Sequence, residues 1–426
     1  MRHFYKINSE LNLDSLSKDV KYVVQAMDGN NDFSSPAFFD KHRKIAEELC
    51  RSKLAFPCCK GYSSQYPGAI KGVFWAVTGV CNLKCEHCYM SAPLNNNVPF
   101  DIDILISFMD KLSKAGATEL ILTGGEVFTL KCLPELLDYA SDIGMNISNI
   151  LTNATLITHE KLNMFTERGF TPHFHVSFDG VGHHSRIRGT KDAEENTLRG
   201  IRLLLDSGFK VSVTTCIDSE NLESLPQTYE CMKELKIEEW GIGRPMHFGC
   251  ARNLTIPSTD IFAKACEDIQ IRWLKDNRPM TLGLEGLYSY REGVKNITSE
   301  FDIKLPACHE CRQFPYLSED GRLMPCSAYT DSELVKKFPS LLDNSVDECL
   351  QSDTLKTVMN ITYEDVLEHS LECKDCNLLD KCRTGCRASA LINNDSIYKK
   401  DPYSCMVMKE HLQESFYLRE AEYDKQ

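Results

Sequence analysis

Three cysteines lie close together in Cys81-Asn-Leu-Lys-Cys85-Glu-His-Cys88. Three thiolates on one loop can hold three irons of a [4Fe–4S] cluster and leave the fourth iron open. An open metal position is where chemistry can occur, as in catalytic zinc sites that keep one place free. A three-thiol zinc knuckle is the other chemistry these residues allow. Near the C-terminus, Cys311-x9-Gly321-x4-Cys326 is followed by Cys373-x2-Cys376-x5-Cys382-x3-Cys386-x18-Cys405, and Cys308 adds an eighth thiol. Eight thiolates satisfy two four-iron clusters, and the same thiols could form two zinc sites. Gly321 follows Asp320 in a hairpin-like signal.

The elements that must position these residues are legible as alternation. Apolar runs predict strands at 73–77, 119–123, 147–151, 173–177, 210–215 and 237–243. Helical periodicity predicts helices at 104–114, 133–143, 160–168, 197–207, 222–235 and 261–274. Six strand–helix units imply parallel strands with right-handed crossovers, an α/β fold arranged as a partial (β/α)6 barrel. Chemistry in such barrels sits at the C-terminal strand ends. The Cys81 motif follows the first strand, Thr123-Gly124-Gly125-Glu126 the second and Asn153 the third. Ser177-Phe-Asp-Gly180, with Arg188 beyond it, follows the fourth. The paired glycines allow close backbone approach, and the Glu126 carboxylate can pair with an ammonium group.

Three segments are expected. Residues 1–70 carry a strand at 4–7 and two helical faces, Val20/Val23/Val24/Met27 and Phe39/His42/Ile45/Ala46/Cys50, with a linker from Cys58 to Gly68. Residues 71–300 hold the barrel. Residues 301–426 lose the rhythm and are expected to take their fold from metal.

Composition narrows the classes. The chain has 426 residues, 20 cysteines and 42% hydrophobic residues, enough for a substantial core. Its net charge of −13 makes it a poor match for nucleic acid. Apolar runs are too short for a membrane span, and Met1-Arg-His-Phe lacks a secretory signal pattern. A cytoplasmic location is expected, where cysteines serve as metal ligands or reactive thiols rather than disulfides.

Together these motifs resemble the radical S-adenosylmethionine (SAM) superfamily, with His87 where that family usually has an aromatic residue. The resemblance implies a SAM-binding [4Fe–4S] cluster on Cys81, Cys85 and Cys88. It implies SAM contacts from Gly124, Gly125, Glu126, Asn153, Ser177 and Arg188. The C-terminal pattern resembles the SPASM domain. That implies two auxiliary clusters, the nearer on Cys308, Cys311, Cys326 and Cys386, the distal on Cys373, Cys376, Cys382 and Cys405. It further implies a precursor-peptide substrate and a flavodoxin or ferredoxin-type electron donor.

The expected activity is hydrogen abstraction from a precursor peptide by a 5′-deoxyadenosyl radical, forming an intramolecular cross-link, with a thioether as the best match. Two other outcomes stay open, formylglycine formation as in anaerobic sulfatase-maturating enzymes and peptide epimerisation. Those maturases carry an aspartate after the cysteine that follows the turn glycine, where this chain has Ser327. Cys216, at a strand end, is the candidate hydrogen donor for epimerisation. Residues 1–70 could form a winged-helix module that grips a leader peptide by strand pairing. An iron–sulfur electron carrier is the non-enzyme alternative.

Overall fold

The computed structural model describes residues 3–7, 16–52, 54–60, 70–92, 100–290, 301–308 and 310–425. An N-terminal unit comprises β1 (Phe4–Ile7), α1 (Lys18–Ala26), α2 (Asp40–Arg51) and β2 (Ala55–Cys58). The two strands pair antiparallel, and Val23, Val24, Met27, Phe33, Phe38, Ala46 and Leu49 form a core separate from that of the barrel. β2 corrects the linker expected from Cys58 onward, because Cys58 ends a strand. The rest of that expected linker, 61–69, lies outside the described residues.

The barrel segment then runs β3 (Gly72–Ala76), α3 (Ile102–Ala115), β4 (Glu119–Thr123), α4 (Leu133–Ile143), β5 (Asn146–Thr152), α5 (His159–Thr166) and β6 (His173–Ser177). It continues with α6 (His184–Ile187), α7 (Ala193–Asp206), β7 (Val211–Cys216), α8 (Leu225–Leu235), β8 (Glu239–Gly243), α9 (Thr259–Lys275), β9 (Thr281–Leu284) and β10 (Tyr288–Ser289). All six expected strands and six expected helices are present. β3 to β9 are parallel neighbours, so the sheet has one more parallel strand than expected. β9 escaped notice because Thr281-Leu-Gly-Leu284 is short and holds a glycine.

The sheet also continues past β3. After α10 (Glu310–Gln313), β11 (Tyr316–Leu317) pairs parallel with β3 and antiparallel with β12 (Leu323–Met324). Gly321 turns this hairpin at φ 82°, as the Asp-Gly signal predicts. Eight further helices, α11 to α18, follow among the described residues. They include α16 (Arg387–Asn394), α17 (Pro402–Lys409) and α18 (Leu412–Tyr423). The sequence was expected to hold few regular elements here. Two capping boxes, Ser345 with Glu348 and Thr362 with Asp365, start short helices whose apolar period is brief.

The two faces of the sheet differ in chemistry. Phe174, Val176, Val213, Trp240, Ile242, Leu282 and Leu284 point toward the helices and are buried. Trp240 packs near Tyr229 of α8, and Phe174 near Phe165 of α5. The opposite face carries His173, His175, Ser177, Thr214, Cys216, Glu239, Gly241, Gly243 and Gly283, with Thr214 exposed in mid-strand. Cohesion therefore comes from the helix side, and the inner side is left polar and partly open.

Helix α7 comes very close to the loop after β5. A side chain at Gly200 would meet the Ala154 carbonyl oxygen at 2.1 Å. Gly200→Ala should lower stability by about 1–3 kcal/mol through overpacking, despite alanine's better helix propensity. Urea unfolding of the two proteins measures it.

Candidate active site

The cysteine loop after β3 is held by its backbone from three sides. Glu126 N–H donates to the Val80 carbonyl at 2.9 Å, Lys84 N–H to the Arg188 carbonyl at 3.1 Å, and Cys250 N–H to the Cys88 carbonyl at 2.9 Å. Glycines make these approaches possible. A Cβ at Gly125 would meet the Val80 oxygen at 2.3 Å, at Gly189 the Lys84 oxygen at 2.5 Å, and at Gly249 the Cys88 oxygen at 2.5 Å. Gly189 and Gly249 also have positive φ, 65° and 59°, which disfavours a side chain.

Behind the loop lies a charge that is fully buried. Asp179 Oδ2 is 2.7 Å from Arg188 Nε and 3.7 Å from His87 Nε2. The Arg188 N–H is not aimed at that oxygen, so the contact is an ion pair without hydrogen-bond geometry. Burial would push the carboxyl pKa up, but Arg188, His87, His184 and the Cys216 amide hold it below the ordinary aspartate range. Arg188 Nη1 also donates to Cys85 Sγ at 3.5 Å. His184 Nδ1 accepts from Asp179 N–H at 2.9 Å, so Nε2 carries the proton and donates to Thr197 Oγ1 at 3.1 Å. Burial holds His87 down to about 4 and His184 to about 3, so both rings are neutral at pH 7.

The expected SAM contacts are gathered at the strand ends around this loop. Gly124 and Gly125 press on Thr78 and Val80. Asn153 Nδ2 donates to Asn82 Oδ1, inside the cysteine motif, at 3.0 Å. Ser177 ends β6, and its hydroxyl has no hydrogen bond among the described residues. The Glu126 carboxylate, expected to pair with an ammonium group, lies among donors of the protein itself. It is 1% exposed, and its oxygens accept from Thr152 Oγ1 at 2.8 Å, Asn153 N–H at 2.8 Å and Phe128 N–H at 3.2 Å. Burial raises its pKa while these donors pull the other way.

The C-terminal thiols fall into two neighbourhoods. Cys308, Cys311, Cys326 and Cys386 surround the buried Tyr329 closely enough to raise its phenol pKa, after burial itself. Cys382 lies near Cys405, Cys373 and Cys376; burial and those thiols push its own pKa up to about 11. These are the same two sets of four that the family resemblance implies. All twenty cysteines are outside disulfide bonds.

Thiolate sets of three and twice four, clustered and partly shielded, fit iron–sulfur clusters by donor chemistry. In that fit, Cys81, Cys85 and Cys88 would hold the open cluster and the other eight would close two. Among the described residues, no three His, Cys, Asp or Glu side chains converge tightly enough to hold a single ion.

Sequence reasoning passed over two residues. Asp179 stood in view within Ser177-Phe-Asp-Gly180, but its partners come from distant segments. Asp401 is 2% exposed and accepts four hydrogen bonds: from Cys386 N–H at 3.1 Å, Ser404 Oγ at 2.6 Å, Ser389 Oγ at 2.6 Å and Tyr403 N–H at 3.1 Å. Its carbonyl also accepts from Cys405 N–H at 3.0 Å. One residue thus anchors a thiol of each C-terminal set. Only the Asp401-Pro402 helix-start pattern could have flagged it.

Asp179→Asn leaves Arg188 buried without its counter-charge and should cost about 3–5 kcal/mol of stability, read by denaturant titration. Asp401→Asn should reduce iron in the C-terminal sets and spare the loop at Cys81, a difference that anaerobic iron counts and electron paramagnetic resonance will show.

Residues 75–232 match the Radical SAM superfamily. The Fe-coproporphyrin III synthase of Methanosarcina barkeri is 34% identical over 170 residues, 39% of this chain and 41% of that protein. The chain therefore spans less than half the length of that relative. The AdoMet-dependent heme synthase of the same organism is 25% identical over 345 residues, covering 78% of this chain and 95% of the relative. The PqqA peptide cyclase of Granulibacter bethesdensis is 23% identical over 352 residues, covering 80% and 89%. Streptococcus suis SuiB bound to S-adenosylmethionine shares the fold, with a TM-score of 0.61 at 14% identity over 94% of this chain and 99% of SuiB. With its cysteine loop after the first parallel strand of an α/β sheet, this chain carries a radical SAM domain over residues 75–232.

Proposed function

We propose that the protein modifies a precursor peptide, forming an intramolecular thioether cross-link by radical chemistry. The observation that carries this reading is the pair of four-thiol neighbourhoods folded against the radical SAM sheet. When bound, the open cluster with SAM supplies a 5′-deoxyadenosyl radical that takes hydrogen from an unactivated carbon. The chain's own residues hold the parts in place. Cys81, Cys85 and Cys88 bind the cluster, and Gly124, Gly125, Asn153, Ser177 and Arg188 frame SAM. The buried ion pair with Asp179 fixes Arg188 beside Cys85. The eight C-terminal thiolates would hold two closed clusters able to accept the substrate's second electron, and a flavodoxin or ferredoxin-type donor would supply the electron that reduces the open cluster. The similarity to a peptide cyclase over 80% of the chain supports a peptide substrate.

The N-terminal unit adds limited support for leader binding. The outer edge of β1 is already engaged, since Gly29 N–H donates to the Tyr5 carbonyl and Phe33 N–H to the His3 carbonyl. A leader strand would have to pair along β2, which contains Pro57 and so lacks one donor. A second reading, tetrapyrrole modification, is favoured by the heme-synthase relatives.

Anaerobically purified protein should contain about twelve irons and no zinc, as three four-iron clusters require. Zinc in place of iron would sink the enzyme reading. The triple variant Cys81→Ala, Cys85→Ala, Cys88→Ala should make no 5′-deoxyadenosine under reducing conditions. Co-expression with each short cysteine-containing peptide that the neighbouring reading frames encode, followed by mass spectrometry, separates the readings. Loss of two hydrogens together with one free thiol supports the thioether. An unaltered peptide with turnover of an iron porphyrin supports the tetrapyrrole reading.

A further inference from the structure

Most glycines near the site have a reason to be glycine. Gly125, Gly200 and Gly249 each bring one backbone within 2.5 Å of where a Cβ would sit. Gly241 and Gly283 have none. Both lie in regular strands without positive φ. A Cβ on either would meet nothing closer than 3.9 Å. Glycine in a strand interior costs stability and often marks close approach of a ligand or another backbone.

Their placement gives the absence of side chains a use. Gly241 pairs in register with Thr214 on one side and Gly283 on the other, and Thr214 pairs with Ser177. The row Ser177, Thr214, Gly241, Gly283 therefore crosses four adjacent strands on the inner face. Three strand steps of about 4.8 Å make it about 14 Å long. A cavity of about 600 Å³ opens over Thr214, Gly241 and Gly283, three of the row's four members; Cys216, Arg244, Glu285 and Tyr417 of α18 also line it. Thr214 and Glu285 are exposed to that space. At one end the row begins at Ser177, an expected SAM contact.

We propose that Gly241 and Gly283 form a side-chain-free floor on which an extended segment of the substrate peptide lies flat, with its reacting residue toward Ser177. A length of about 14 Å accommodates roughly four extended residues. Thr214, Arg244 and Glu285 offer hydrogen-bonding partners along the slot. This rests on the peptide reading above and names where that substrate sits.

Gly241→Val, Gly283→Val and Thr281→Val test it in the full-length holoenzyme. Thr281→Val lies on the same face of β9 but outside the cavity lining. The probe is a short cysteine-containing peptide chosen from the reading frames that neighbour the gene, assayed with SAM under reducing conditions. Valine suits strands, so both glycine variants should keep wild-type iron content and melting temperature. They should also form 5′-deoxyadenosine without peptide at rates within about twofold of wild type. Modified peptide should fall by about twentyfold or more in both, and stay unchanged in Thr281→Val. Wild-type modification rates in both glycine variants would overturn the inference, and so would loss of iron or of folding, which would mark a packing role. A wild-type enzyme that leaves the peptide unaltered overturns the peptide reading itself. If haemin then binds wild type and not the glycine variants, the floor stands with a different occupant.

Discussion

An ionised carboxylate with no exposed surface organises the centre of this protein. Asp179 follows β6 by two residues and faces Arg188, His87 and His184, while its Oδ1 accepts from the Cys216 amide at the end of β7. Asn221 then donates to the carbonyls of both Asp179 and Cys216 at 2.8 Å, locking the two strand ends together. A buried ion pair of this kind is weak evidence for stability, because desolvation offsets much of the attraction. Its consequence is geometric. Arg188 cannot swing away from Asp179 without leaving a bare charge, so its second nitrogen stays beside Cys85.

The glycines around the cysteine loop extend the same constraint to the backbone. Where Gly125, Gly189 and Gly249 touch the loop, there is no room for an intervening side chain or water. The loop is therefore shaped by three separate strand ends and not by its own sequence. This divides the sheet's labour. Helix-facing residues such as Phe174, Trp240 and Leu282 are buried completely and supply the hydrophobic stabilisation. Inner-facing positions are freed to be histidine, serine, threonine or glycine.

Much of this was legible beforehand, and the exceptions share a cause. Strands at 119–123 and 173–177 and the helix at 133–143 fall where the apolar periodicity puts them, because long periodic segments carry their own signal. The two-residue strands β11 and β12 carry no period and were visible only as a turn signal. β9 was hidden by the glycine that gives its inner face its character. Site residues behaved likewise. The cysteines and Gly124-Gly125-Glu126 announce themselves by spacing, whereas Asp179, His184 and Asp401 gain meaning only from partners brought near by folding. Glu126 shows both at once: its motif marks it by spacing, while its contacts with Thr152 and Asn153 appear only on folding.

The C-terminal segment is coupled to the barrel mouth by more than chain continuity. Tyr403 of α17 donates to the Glu285 carbonyl at 2.6 Å, and the Arg244 guanidinium lies over its ring, 4.4 Å from the centroid. Gln413 and Tyr417 of α18 line the cavity directly. α17 also carries Cys405 and begins at Asp401, which binds the Cys386 amide. The helix that presents one thiol to the C-terminal sets is thus the helix that props Glu285 at the edge of the inner slot. Val407 of α17 and Phe416 of α18 are buried in the same hydrophobic core as the barrel residues. The placement of α17 therefore sets both the position of Cys405 and one wall of the inner slot, so a shift of that helix would move the two together.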